Sequence, residues 1–203
     1  MIHPHTEVRF ISDEIGYGVV ATQLIPKGTI TWALDKFDRI FSPKEMEEME
    51  EPYHTILDVY SYRNNKGHFI LCWDNSRFVN HSFNSSCIST AYEFEIAVRD
   101  ILPGEQLTDD YGYLNVSEPF DCVPEKGCTR TRVMPDDILN NHKIWDEKLI
   151  SAFQNFLNVE QPLANLLDKE TLQKAHSIAK GETKMDSILT CHYYGNGVEK
   201  HSK

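Results

Sequence analysis

A chain of 203 residues with 40% hydrophobic and 25% charged content is that of an ordinary globular protein with one well-buried core. A formal net charge of −11 argues against direct nucleic-acid binding, which depends on clustered Lys and Arg, and no apolar run is long enough to span a membrane. Met1-Ile2-His3-Pro4 begins no secretory leader, and five irregularly spaced cysteines fit reduced thiols in a cytoplasmic compartment, or a nuclear one in a eukaryote.

The first third reads as β structure. Val8–Ile11, Gly18–Thr22 and Thr29–Ala33 are short β-rich runs separated by Gly and Pro signals, and Ile25-Pro26-Lys27-Gly28 is a turn. Ser42-Pro43-Lys44-Glu45 starts a helix with a capping box, and the helix is expected to stop near Glu51-Pro52. His68–Trp73 is a further strand candidate. Thr90–Val98 alternates, with Tyr92, Phe94, Ile96 and Val98 on one face and Glu93, Glu95 and Ala97 on a wet one. Leu107, Asp109 and Tyr111 share a face if their segment stays extended. After Gly127 the pattern becomes helical. Ile138, His142, Trp145, Leu149, Phe153 and Phe156 follow helical spacing, and a second helix runs through Leu163, Leu166 and Leu167 or restarts at Leu172, Ala175 and Ile178.

Arg77-Phe78-Val79-Asn80-His81-Ser82 is followed by Gly104-Glu105-Gln106-Leu107-Thr108-Asp109-Asp110-Tyr111-Gly112 and preceded by Gly16-Tyr17-Gly18 and Ile25-Pro26-Lys27-Gly28. In order and spacing, across roughly residues 8–113, these runs resemble the SET-domain family of protein lysine methyltransferases. The resemblance implies an α+β fold, mainly β, with a β-clip of short strands and knot-like threading, extended by a C-terminal helical appendage. It implies a SET domain over 5–118, a degenerate post-SET-like segment over 119–130, helices over 131–190 and a flexible tail over 191–203, with no pre-SET region before Val8.

It also implies S-adenosylmethionine as cofactor, with Tyr17, Gly18, Arg77, Asn80, His81, Tyr111 and Phe120 as its contacts, and Tyr111 as the catalytic residue. Methyl transfer from a sulfonium to an amine needs a neutral nitrogen aimed at the methyl group, so positioning and electrostatics carry it. Asp109, Tyr113 and Tyr62 are candidates for the substrate channel. Gly16-Tyr17-Gly18 reads equally as a tight hairpin, Phe120 equally as core or as a surface for adenine, and Tyr113 equally as a packed strand tyrosine.

Two positions depart from the family pattern. Asp109 stands where the channel usually has Tyr or Phe, and a carboxylate there raises the pKa of an incoming ammonium. Either Asp109 turns away, or the amine is presented differently, or transfer is slow. Phe83 follows Ser82 where a cysteine is usual, and only Cys122 and Cys128 resemble the terminal cysteine cluster. Two of four ligands are missing, and zinc is not expected.

The leading reading is methyl transfer from S-adenosylmethionine to an accessible lysine of a protein substrate, without nucleic acid or membrane as partner. A SET-fold module that binds cofactor or peptide with little or no transfer is the alternative, and a non-protein amine is a third candidate substrate. The acidic surface either draws a basic partner or serves solubility.

Overall fold

The computed structural model describes residues 1–195. Strands β1 (Thr6–Ser12) and β2 (Gly16–Ala21) form an antiparallel hairpin closed by Gly16 in the left-handed region, at φ +81°. The turn through Pro26 and Gly28 leads into β3 (Ile30–Ala33), and β4 (Arg39–Phe41) follows. Ser42 then caps α1 (Pro43–Glu47): its Oγ accepts from the Glu45 amide at 3.2 Å, and its own amide donates to Glu45 Oε2 at 2.7 Å.

The helix expected to stop near Glu51-Pro52 ends at Glu47 instead, and that dipeptide opens α2 (Glu51–Tyr60). In a first turn the amide that proline lacks has no intrahelical partner to lose, so Pro52 is well placed to begin a helix. β5 (Ser61–Arg63) and β6 (Phe69–Leu71) come next, and β6 lies between β4 and β5 in an antiparallel sheet. β7 (Asn80–His81), β8 (Cys87–Ser89), β9 (Phe94–Ala97) and β10 (Thr108–Asp109) complete the site region, with β9 between β3 and β8 and β7 parallel to β10.

Two sequence expectations about this region need correction. The strand predicted over Thr90–Val98 begins only at Phe94, because Thr90 bonds the Phe94 carbonyl through both its amide and its hydroxyl, and Glu93 turns the chain at φ +60°. Its second face is not wet either. Ala97 is fully buried against the β2 and β3 side of the core, and Glu95 opens onto a cavity. Leu107, Asp109 and Tyr111 do not lie along one strand. Asp110 accepts from the Gly112 amide at 3.0 Å and starts a 3-10 turn over Tyr111–Tyr113.

Beyond the site, β11 (Phe120–Asp121) pairs with β12 (Arg132–Val133), and α3 (Asp137–Phe153) and α4 (Lys169–Ala179) follow. The restart reading of the second helix is the one observed, since Leu163–Leu167 holds only a short 3-10 turn before Asp168 caps α4. Ile138, Trp145, Leu149 and Phe153 of α3 share one apolar core with Ile30, Ile88, Phe94 and Ile96. Burying each such side chain is worth roughly 1.5–3 kcal/mol, so helices and sheet depend on each other. The fold is thus α+β: many short strands in small sheets, with four helices among the described residues. None of these helices is long and apolar enough to cross a membrane. Of segment 191–203, Cys191 ends a 3-10 turn and Tyr193 donates its amide to Asn115 Oδ1 at 2.8 Å, while residues 196–203 lie outside the described residues.

Arg130 fastens the 119–133 segment to the rest. It forms ion pairs with fully buried Asp110 and with Asp137, the latter at 2.6 Å, and lies 4.4 Å over the Phe83 ring. Removing one partner of a buried pair strands the others. Arg130→Ala should therefore lower the unfolding free energy by about 3–5 kcal/mol in a urea titration, and a loss below about 1 kcal/mol would contradict this role.

Candidate active site

The parallel pairing of β7 with β10 sets Asn80 beside Thr108 and His81 beside Asp109. From there two hydrogen bonds fix Tyr111. Its amide donates to His81 Nδ1 at 3.1 Å, and its hydroxyl donates to the Val79 carbonyl at 2.6 Å. With its one proton committed, the phenol oxygen can only accept from other groups. Burial pushes its pKa up, so the phenol is neutral at physiological pH.

Tyr111 borders a cavity of about 470 Å³. Arg77 and Phe120 line it too, as do Tyr62, Asp109 and Glu95. Phe120 is not core: its ring is 37% exposed and lies 6.4 Å from Tyr111 and 6.5 Å from His81. The imidazole of His81 keeps its Nε2 buried without a partner, and burial lowers its pKa, so the ring is neutral. Asn80 and Gly18 meet at a different contact. Asn80 Nδ2 donates to the Tyr17 carbonyl at 3.1 Å and to Gln106 Oε1 at 2.9 Å, and a Cβ on Gly18 would come within 2.6 Å of that same nitrogen. The close approach that glycine permits here is to protein side chains. Tyr17 is exposed and packs edge-on against Phe10.

Asp109 does not turn away. It is buried, lines the cavity, and accepts from the Tyr113 hydroxyl at 2.9 Å. Tyr113 stands behind it, packed edge-on against Trp145 and bordering a second, smaller cavity of about 130 Å³. Beside Asp109 is Glu95, which accepts from the Ser89 hydroxyl at 3.1 Å and lies within hydrogen-bonding reach of Asp109. Two carboxyls in one buried place cannot both ionise cheaply. Burial raises both pKa values, Asp109 to about 6 and Glu95 well above the ordinary carboxylate range, and the charge of Asp109 adds to the rise of Glu95. At neutral pH one proton is therefore shared by the pair, which carries a single negative charge.

Sequence reasoning missed Glu95 and Trp32 as cavity residues. They sit opposite each other in the β3–β9 register, and no sequence signal shows what covers a strand face. At the position of the family's cysteine cluster the neighbours are different. Glu125 receives the Ser82 hydroxyl and the Phe83 amide, both at 2.9 Å, while Phe83 packs edge-on against His81 at 4.3 Å. Cys122 has its pKa raised, chiefly by burial, and so stays a thiol. Among the described residues no group of three or more His, Cys, Asp or Glu side chains is placed to hold a metal ion.

A sequence profile of the SET domain matches residues 16–112, so this stretch of the chain is a SET domain. That family is typically one of S-adenosylmethionine-dependent protein-lysine methyltransferases. A search of curated proteins found no match to the chain.

The shared proton has a consequence for stability. A carboxyl whose folded pKa is raised stabilises the fold fully below its unfolded pKa, and that contribution is lost as pH rises toward the folded value. Glu95→Gln supplies a neutral donor at every pH. Between about pH 5 and pH 8 the wild type should therefore lose stability relative to Glu95→Gln, by roughly 1 kcal/mol per pH unit at most. Parallel unfolding curves with a pH-independent difference would contradict a shared proton.

Proposed function

We propose that the protein transfers a methyl group from S-adenosylmethionine to a lysine side chain of a protein substrate, with Tyr111 as its main catalytic residue. The observation that carries this reading is the placement of the Tyr111 phenol. It is held by Val79 and His81 at the wall of one cavity that Phe120, Arg77 and Asp109 also line. A cofactor and a side-chain amine need such a shared chamber if methyl and nitrogen are to meet in line.

The residues fit the cofactor in two respects. Phe120 offers a partly exposed ring suited to an adenine, and Arg77 a cation suited to a carboxylate. When bound, the cofactor supplies an electrophilic methyl group on a positively charged sulfur. Arg77, His81, Phe120 and Tyr111 would hold it, with Tyr17, Gly18 and Asn80 shaping the loop beside it. The Tyr111 oxygen would orient the amine and accept weak C–H contacts from the methyl group. Tyr62 and Asp109 would line the lysine channel, with Tyr113 bracing Asp109 from behind.

A second reading is a binding module with little transfer. It is favoured by the negative charge of the Asp109 and Glu95 pair, which attracts an ammonium and holds its proton in place. Incubation with methyl-labelled S-adenosylmethionine and a cell lysate separates the two. The transferase reading predicts labelled protein bands, reduced on the order of 10²-fold by Tyr111→Phe. Cofactor binding in a calorimeter with no labelled band would favour the binding module.

A further inference from the structure

The floor of the cavity carries a feature that methyl transfer by positioning alone does not use: two carboxyls side by side, Asp109 and Glu95, both reaching the space where a substrate amine would enter. We propose that this pair is the proton acceptor for the substrate, taking a proton from the incoming alkylammonium and releasing the neutral amine inside the cavity. The inference rests on the lysine-directed reading for its substrate, but the pair itself does not.

The geometry selects the kind of cation. Asp109 Oδ1 is engaged by Tyr113 and Glu95 Oε1 by Ser89, and both carboxyls line the same cavity. Neither keeps both oxygens free for the two parallel bonds that a guanidinium makes, so the pair suits one N–H of a primary ammonium. The aromatic walls fit the same ligand. Trp32 and Tyr62 meet edge-on at 5.9 Å and line the cavity beside the pair, a surface on which an aliphatic stem can lie.

One N–H bond of the ammonium breaks, its electrons remain on nitrogen as the lone pair, and an O–H bond forms on Asp109. Both carboxyls are then neutral, and the charge that entered with the ammonium has cancelled that of the pair. In a desolvated cavity, two neutral partners are favoured over an ion pair more than they are in water. The lone pair so freed would be available to an electrophilic methyl group held beside Tyr111, with the C–N bond forming as the donor's C–S bond breaks and its electrons go to sulfur. The alkylated nitrogen leaves as a cation, and Asp109 returns its proton to water when the cavity empties.

The neighbours of the pair leave it as the group that titrates near neutrality. Burial raises the pKa of Tyr62, Tyr111 and Tyr113, and likewise of Cys72 and Cys87, so all five stay protonated. Asp110 is neutralised by Arg130, and the Met1 amino group, held at Asp35, exerts a weak pull on Glu95.

The test uses n-butylammonium as a surrogate for the lysine side chain, with n-butanol as its uncharged counterpart. As pH falls from about 8 to about 5, butylammonium binding to the wild type should weaken about 10-fold, because the pair loses its charge near pH 6, while butanol binding should not change. Asp109→Asn should remove this dependence. At constant pH, difference infrared spectroscopy should show a gain of carboxylic-acid C=O absorption when butylammonium binds, absent in Asp109→Asn. Binding without that gain would overturn proton transfer and reduce the pair to a counter-charge, and no pH-dependent binding would overturn the site altogether. If the infrared gain is present but no protein is labelled in the lysate, the lysine-methylation reading fails and the proton-accepting pair stands.

Discussion

The site depends on a two-residue parallel ladder. β7 and β10 are too short to be stable alone, yet they hold Asn80 against Thr108 and His81 against Asp109 across the 26 residues between the two strands. Flanking bonds extend the ladder: Ser82 donates its amide to the Asp109 carbonyl at 2.8 Å, and Ser86 its amide to the Thr108 carbonyl at 3.1 Å. Closing a loop of this length costs entropy that two ladder pairs do not offset. The rest comes from buried apolar neighbours on the same segments, Ile88 and Leu107, which belong to the two main core clusters. Every contact that orients Tyr111 follows from this ladder, since both Val79 and His81 lie on or beside β7.

Side-chain hydrogen bonds and ion pairs tie the 119–133 segment to the site. Glu125 gathers the Ser82 hydroxyl and the amides of Phe83 and Asn84, and Arg130 joins Asp110 to Asp137. A carboxylate and a guanidinium, each with several hydrogen bonds, can fix a chain segment as a tetrahedral metal does, though with charges that need continuous compensation. Asn115 makes a similar junction, donating to the carbonyls of Arg63 and Cys191, both at 2.9 Å.

Much of this was legible in the sequence, because the informative residues act locally or as a fixed pattern. The Ser42 and Glu45 capping box needs only four residues to form, and the RFVNHS and GEQLTDDYG runs, Arg77–Ser82 and Gly104–Gly112, carry the family signature without reference to tertiary contacts. The failures have physical causes. Alternation over Thr90–Val98 was real, but the Thr90 side chain competed for the backbone and cut the strand at Phe94. Alternation also assigns a face without saying what lies over it, so Glu95 read as solvated when it opens onto the cavity. Asp109 was marked as unusual from its position alone. That it faces the cavity, and that its charge is shared with a second carboxyl from another strand, depends on a non-local pairing that no spacing encodes.

In the proposed arrangement one cavity receives the cofactor beside Phe120 and the substrate amine beside Asp109, with both meeting at Tyr111. A crystal structure of the protein with S-adenosylhomocysteine tests this most directly. The account predicts the adenine against Phe120, the sulfur facing Tyr111, and the space before Asp109 and Glu95 left open for an amine. Binding with the sulfur remote from Tyr111, or with the ligand filling the space before the two carboxyls, would contradict it.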